Sequence, residues 1–319
     1  MKKALLLIAS AALLFAGCQK EQVAGSAGNA LETVSVSFTA ALSDGAQTKA
    51  SFDGDGAGNF ADQCKLQVWW EGKLFLQKTV DVVDFKASFN NIVLIKDQKY
   101  DFLFWADNKD GQYYVTDTLT KVKLNGEYLG GDDKRDAFYA AIADTTITAA
   151  FSRNIKLYRP FAQLNVIAID IPALRQQITD DDLFAASVPQ EVSLAVTAPT
   201  VFNVETGVAY TPKELTYTAP VYTNPYKVTT GAKNTLSMDY FLAPSEEGNV
   251  VSVGFSAKNE TSGLTDIDYT FTNIPLRRNY RTNILGALIT VQGTVSVEIE
   301  PAWLGETDVD GNGNIIATR

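Results

Sequence analysis

Hydrophobic and polar residues alternate with period two along most of the chain, the mark of strands with one face in a core and the other toward water. Val34, Val36, Phe38 and Ala40 alternate with Ser35, Ser37 and Thr39. Leu66, Val68 and Trp70 run into Glu71-Gly72-Lys73, a turn signal, and Leu74-Phe75-Leu76 follows. Near the end Val295, Val297 and Ile299 alternate with Ser296, Glu298 and Glu300. The same pattern predicts strands over 100–105, 112–115, 161–169, 192–196, 237–242, 250–256 and 267–271. Turn residues separate them at the intervals of an antiparallel sandwich. Helical patterning is confined to 173–185, after Pro172, and to 134–143. No internal repeat stands out.

At roughly 150 residues per domain, the length predicts two domains. A proline interrupts strand pairing, and Pro160 separates two strand-rich halves, with a segment over 154–157 before it and one over 161–169 after it. The boundary is therefore set at Tyr158-Arg159-Pro160. A β domain over 33–157 precedes a second over 158–300, and 301–319 forms a C-terminal tail.

The first 17 residues read as an export signal. Lys2 and Lys3 flank an apolar run over 4–16 that is too short to span a bilayer and gives way at once to polar chain. Residues 18–32 are small and polar, as suits a flexible tether. Gly17-Cys18 resembles the bacterial lipobox, with Phe15 where that pattern has Leu. The resemblance implies cleavage before Cys18 and acylation of its sulfur and new amino group, by palmitate among other chains. Each buried acyl methylene contributes about 0.8 kcal/mol, so several chains together anchor a protein stably. Gln19-Lys20-Glu21-Gln22 resembles the signal that sends Bacteroides-type lipoproteins to the outer leaflet of the outer membrane.

Composition narrows the chemistry. With Cys18 lipidated, Cys64 has no partner for an intrachain disulfide, so stability must come from core burial. Hydrophobic content of 46% is sufficient for a packed core and too high for a disordered chain. The formal charge of -10, more negative by two once Lys2 and Lys3 leave, comes with no basic cluster and disfavours nucleic acid as a partner. The chain has no histidine, which removes Ser-His-Asp and Cys-His catalysis and every histidine-containing zinc site. A hydrolase would have to use paired carboxylates. The acidic residues, however, sit mostly in turn-like runs such as Asp180-Asp181-Asp182 and Glu246-Glu247. No enzyme activity and no cofactor are expected. Asp308, Asp310 and Asn312 begin like a calcium loop, but its twelfth position, normally a bidentate Glu, is Arg319. Asp53 and Asp55 begin another that fails at Ala57 and Cys64. Trp69, Trp70, Trp105, Tyr113 and Tyr114 are candidates for stacking on sugar rings. Adjacent Trp69 and Trp70 point to opposite sides of a strand, which leaves one of them free to face solvent.

Five longer stretches resemble Bacteroides-type fimbrillin-like lipoproteins, the family that includes subunits of strand-exchanged fimbriae. They are Gln47-Thr48-Lys49-Ala50, Phe102-Leu103-Phe104-Trp105-Ala106, Arg159-Pro160-Phe161-Ala162-Gln163-Leu164-Asn165, Met238-Asp239-Tyr240-Phe241-Leu242-Ala243-Pro244, and the run from Ile274 through Arg277-Arg278-Asn279-Tyr280 to Gly286. The resemblance implies an all-β fold of two transthyretin-like antiparallel β-sandwich domains in tandem. It also implies adhesive structures at the cell surface, with other fimbrial subunits, a second copy, or a host or glycan receptor as partners. In that family a protease cuts after a basic residue and frees the first strand with its lipid; the vacated groove then accepts a neighbour's strand. Mapped onto this chain, a cut after Lys49 releases the strand bearing Val34, Val36, Phe38 and Ala40. The segment carrying Val291, Val295, Val297 and Ile299 is the candidate donor. Processing in the family follows Arg, whereas no Arg precedes Arg135 here. Lys49 as an ordinary loop residue, and 291–299 as the last strand of its own domain, stay open. So does an anchor role against a shaft role. The alternative is a surface lipoprotein that captures glycan with exposed aromatic residues.

Overall fold

The computed structural model describes residues 31–43, 61–222, 234–245, 248–258, 267–290 and 295–300, with the backbone alone at 133 and 298–300. The chain divides into two units, Met1–Glu32 and Thr33–Arg319. The second contains two β-sandwiches.

The first sandwich is built from β1 (Thr33–Leu42), β2 (Gln63–Trp70), β3 (Lys73–Asp81), β4 (Lys86–Ile95) and β5 (Lys99–Asp107), followed after an insertion by β8 (Phe138–Thr146) and β9 (Ser152–Leu157). One sheet has the order β4-β1-β9 and the other β3-β2-β5-β8. Period-two alternation sends Val36, Phe38 and Ala40 from one sheet and Leu66, Val68, Phe102 and Phe104 from the other into a single core. Trp69 and Trp70 fall on opposite faces of β2, as alternation requires.

The second sandwich comprises β10 (Phe161–Ala168), β11 (Glu191–Asn203), β12 (Val208–Pro220), β13 (Asn234–Leu242), β14 (Asn249–Lys258), β15 (Ile267–Leu276), β16 (Arg281–Gly286) and β17 (Val295–Glu300). Its sheets run β13-β10-β16-β17 and β15-β14-β11, with β12 on the other side of β11. The connectivity of the first sandwich is thereby repeated strand for strand. β1 and β10 each sit between an antiparallel partner and a parallel one. β2 and β11 each pair antiparallel with the next strand and with the strand three further along. β17 is the exception, because among the described residues the first sandwich has no eighth strand in that place.

The insertion between β5 and β8 joins the halves. β6 (Tyr114–Val115) and β7 (Val122–Leu124) pair with each other, and β7 adds to β11 at Val201 and Phe202. A separate core, with Leu103 and Trp105 from β5, Leu119 and Val122 from the insertion, and Phe161, Phe202 and Tyr240 from the second sandwich, fills the space between them. This explains why β10 is buried along its whole length: Leu164 and Val166 enter the second sandwich, while Phe161 enters the connecting core.

Two helical expectations change. The stretch 173–185 holds two short helices, α1 (Ile171–Gln177), with Pro172 in its first turn, and α2 (Asp181–Ala186), capped by Asp180. The stretch 134–143 is not a helix. After a single 3-10 turn at Asp133–Arg135 it becomes the edge strand β8. Its apolar residues fit a helical spacing by accident, and antiparallel pairing with β5 overrides the local propensity.

Candidate functional site

β1 is attached on both sides and from beneath. Val36, Phe38, Ala40 and Leu42 are 0–4% exposed, and Val34 is half-buried. The Phe38 ring lies 4.8 Å from Phe102, 5.5 Å from Phe104 and 5.6 Å from Phe151, at tilted or edge-on angles that suit aromatic pairs. A bulge in β4 opposite Val36 and Phe38 keeps the inward set in phase, and Asn91 supplies the left-handed residue there with φ 57°. Beyond the ladders, Ser37 N donates to Phe151 O, Leu42 N to Phe85 O and Ser43 N to Leu157 O, each at 2.9 Å. Withdrawal of β1 would part β4 from β9 and bare a groove floored by Phe89, Phe102 and Phe104.

Of the other residues singled out from the sequence, Cys18, Lys49 and Val291 lie outside the described residues, as do Asp53, Asp55 and Ala57 and the calcium-like stretch 308–319, whereas Cys64 lies on β2. Val295, Val297 and Ile299 lie on β17, paired residue by residue with β16. Val295 packs against the second core, whereas Val297 is 42% exposed, so this edge strand is lightly held. The candidate released strand and the candidate donor therefore belong to different sheets within the chain.

The aromatic candidates do not form a sugar platform. Trp69 and Trp70 are both half-buried, on the connecting core and the first core respectively. Trp105 is 1% exposed and donates to Asp107 Oδ2 at 3.0 Å. Tyr114 is buried with its hydroxyl on the Arg135 carbonyl, and Tyr113 donates to Asp132 at 2.6 Å.

The buried carboxylates are engaged structurally. Desolvation raises the pKa of Asp107, Asp136 and Asp239, against the opposing pull of Gln63, of Arg159 and of Tyr217 respectively. Asp180 and Asp181, the start of the acidic run, cap α2 and pair with Arg175. Among the described residues no group of three Asp, Glu, Cys or His comes together around a metal position, and no helix is long and apolar enough to cross a membrane.

The fold defines an all-β protein of two sandwiches with one connectivity repeated. The chain belongs to the family of unknown function DUF6562, whose model matches residues 27–317. No curated protein sequence matches it. Among solved structures it is similar to the tip fimbrial protein Mfa3 from Porphyromonas gingivalis, with TM-score 0.49 and 13% identity over 84% of this chain and 99% of that one. It is similar as well to the fimbrial anchor protein Mfa2 from Porphyromonas gingivalis, with TM-score 0.44 and 13% identity over 89% of this chain and all of that one.

Proposed function

We propose that the chain is a lipid-anchored adhesive subunit of the outer cell surface, structural or anchoring, that joins its neighbours by strand exchange. One observation carries the reading: β1 is the middle strand of its sheet and the first strand of the sandwich. A single cut between β1 and β2 would therefore detach it together with everything that precedes it. Lys49 lies in that interval, and Cys18 precedes β1. The vacated groove would take an extended strand by main-chain pairing on both sides, with pockets for alternate side chains. Four apolar side chains at roughly 1.5–3 kcal/mol each contribute on the order of 6–12 kcal/mol before ordering costs, enough for a durable joint.

The repeated connectivity supports β17 as the donor. Among the described residues the first sandwich closes with seven strands, so the second does not require an eighth to be complete. A strand at the edge, with Val297 exposed, can leave with the loss of little more than the Val295 contact to the core.

The test is native digestion of the unlipidated protein from Cys18 to Arg319 with a trypsin-like protease, followed by mass and size. A single cut after Lys49, loss of the β1 segment and a ladder of oligomers support exchange. Resistance at Lys49, or cleavage with the protein still monomeric, removes it.

A further inference from the structure

The insertion between β5 and β8 encloses a second feature. After β7 the chain runs as a strap across the second sandwich and leaves a cleft of about 640 Å³ between itself and β11–β12. That is within the range of small-ligand sites, about 300–1,000 Å³. Gly130 sets how closely the strap approaches: a Cβ there would stand 2.1 Å from the Tyr217 ring. Gly131 N then donates to Met238 O at 2.8 Å and fixes the far end of the strap.

The walls are held in place. Tyr217 donates to Asp239 Oδ2 at 2.8 Å, and the Tyr128 hydroxyl lies 3.1 Å from Tyr240 O and 3.4 Å from Asp239 Oδ1. Arg135 stands at the floor. It is 4% exposed, with its guanidinium 4.8 Å from the Tyr128 ring centre and 5.0 Å from that of Tyr113. Nη2 donates to Glu127 O at 3.2 Å, but buried Nε has no hydrogen-bond partner. A buried guanidinium N–H without an acceptor is costly, and a ligand oxygen would remove that cost.

The rim carries both signs. Lys123 and Lys213 stand with Glu127 and Glu214, so with Arg135 the cleft has one net positive charge in a chain of net charge -10. A multiply charged anion such as phosphate would meet the two rim carboxylates. A ligand with one carboxylate and many hydroxyls would give the carboxylate to Arg135 and its hydroxyls to the rim acids, while its ring lies against Leu215 of β12. We infer that this cleft binds a carboxylated sugar, a uronic-acid-type unit of a surface glycan. The inference does not depend on strand exchange, because β1 takes no part in the cleft.

The test is calorimetric titration of the full mature chain with galacturonate, alongside neutral galactose and inorganic phosphate. Galacturonate is expected to bind, at least tenfold more tightly than the neutral sugar or phosphate, and more weakly as salt rises. Arg135→Lys keeps the charge but loses the planar fork, and is expected to weaken binding at least tenfold. The double variant Lys123→Glu/Lys213→Glu changes only exposed positions, and is expected to abolish binding while the melting temperature holds, even if Arg135→Lys fails to fold. No binding of galacturonate, equal binding of the neutral sugar or phosphate, or full binding by the double variant each overturns the assignment.

Discussion

Arg159 grips Asp136 with two parallel hydrogen bonds, Nε to Oδ1 at 2.7 Å and Nη2 to Oδ2 at 2.6 Å, and both side chains are shut away from water. The guanidinium also lies 4.5 Å from the ring centre of Phe138. Asp136 ends the insertion and Arg159 sits between β9 and β10, so the pair ties together the two places where the chain passes between sandwiches. Breaking a buried pair leaves the other charge without its counterpart. Asp136→Ala is therefore expected to destabilise the protein by about 3–5 kcal/mol, read from the urea midpoint at unchanged slope. Arg159→Met/Asp136→Leu, which removes both charges, is expected to recover much of that loss.

Burial holds Asp239 at a pKa of about 7, well above its ordinary 3.8, with desolvation outweighing the hydrogen bonds from Tyr217, Tyr128 and Ser237. The folded state thus keeps a proton that the unfolded chain releases earlier. Between about pH 4 and 7 folded molecules bind more protons than unfolded ones, so stability falls as pH rises through that window. Across the window the effect is on the order of 4 kcal/mol for this group alone. Asp239→Asn is expected to reduce the slope of unfolding free energy against pH. It will not abolish it, because burial raises Asp107 and Asp136 in the same direction. An unchanged slope in the variant would remove Asp239 as its source.

Most of the strand content was legible because alternation is a local signal. Val34 through Ala40 and Leu66 through Trp70 each show their inward face in the order of their residues. The repeat of connectivity was not legible. It resides in which strands pair, and β1 and β10 take corresponding places in their sheets with unrelated patterns, one alternating and one buried throughout. Likewise nothing local announces that Val122 and Lys123 pair with β11, nearly 80 residues away. The proposed cut at Lys49 comes from the family resemblance and from its place in the polar stretch that follows the Val34–Ala40 alternation. The cleft could not be, since Arg135, Tyr128 and Tyr217 meet only after the insertion crosses. Its one sequence trace was Gly130-Gly131, a pair that a close approach requires.

Gly130→Ala is expected to cost about 1–3 kcal/mol, because the new methyl group would overlap the Tyr217 ring and the strap cannot retreat while Gly131 stays bonded to Met238. Gly126, with φ 69°, has nothing within 4 Å of a Cβ, so Gly126→Asn is expected to be tolerated. Thermal unfolding of the two variants side by side separates crowding at the strap from a general intolerance of the loop.

Cys64 offers a direct report on whether β1 leaves. Its thiol is 0% exposed in the core that Phe38 also enters, and burial pushes its pKa far above the ordinary thiol value. The thiolate is the reactive form, so a maleimide should not label Cys64 in the intact fold. In a Cys18→Ser protein, Cys64 is the only thiol. Labelling is expected to be slow before digestion, at a rate set by global unfolding, and to accelerate at least a hundredfold once the segment preceding Lys49 is cut away. Adding a synthetic peptide of residues 33–42 is expected to restore protection, and the same peptide with Phe38→Asp is not, because a charge would enter the space between Phe102 and Phe104. If Cys64 stays protected after a complete cut, β1 remains seated through its pairing with β4 and β9, and exchange at this groove cannot begin with proteolysis alone.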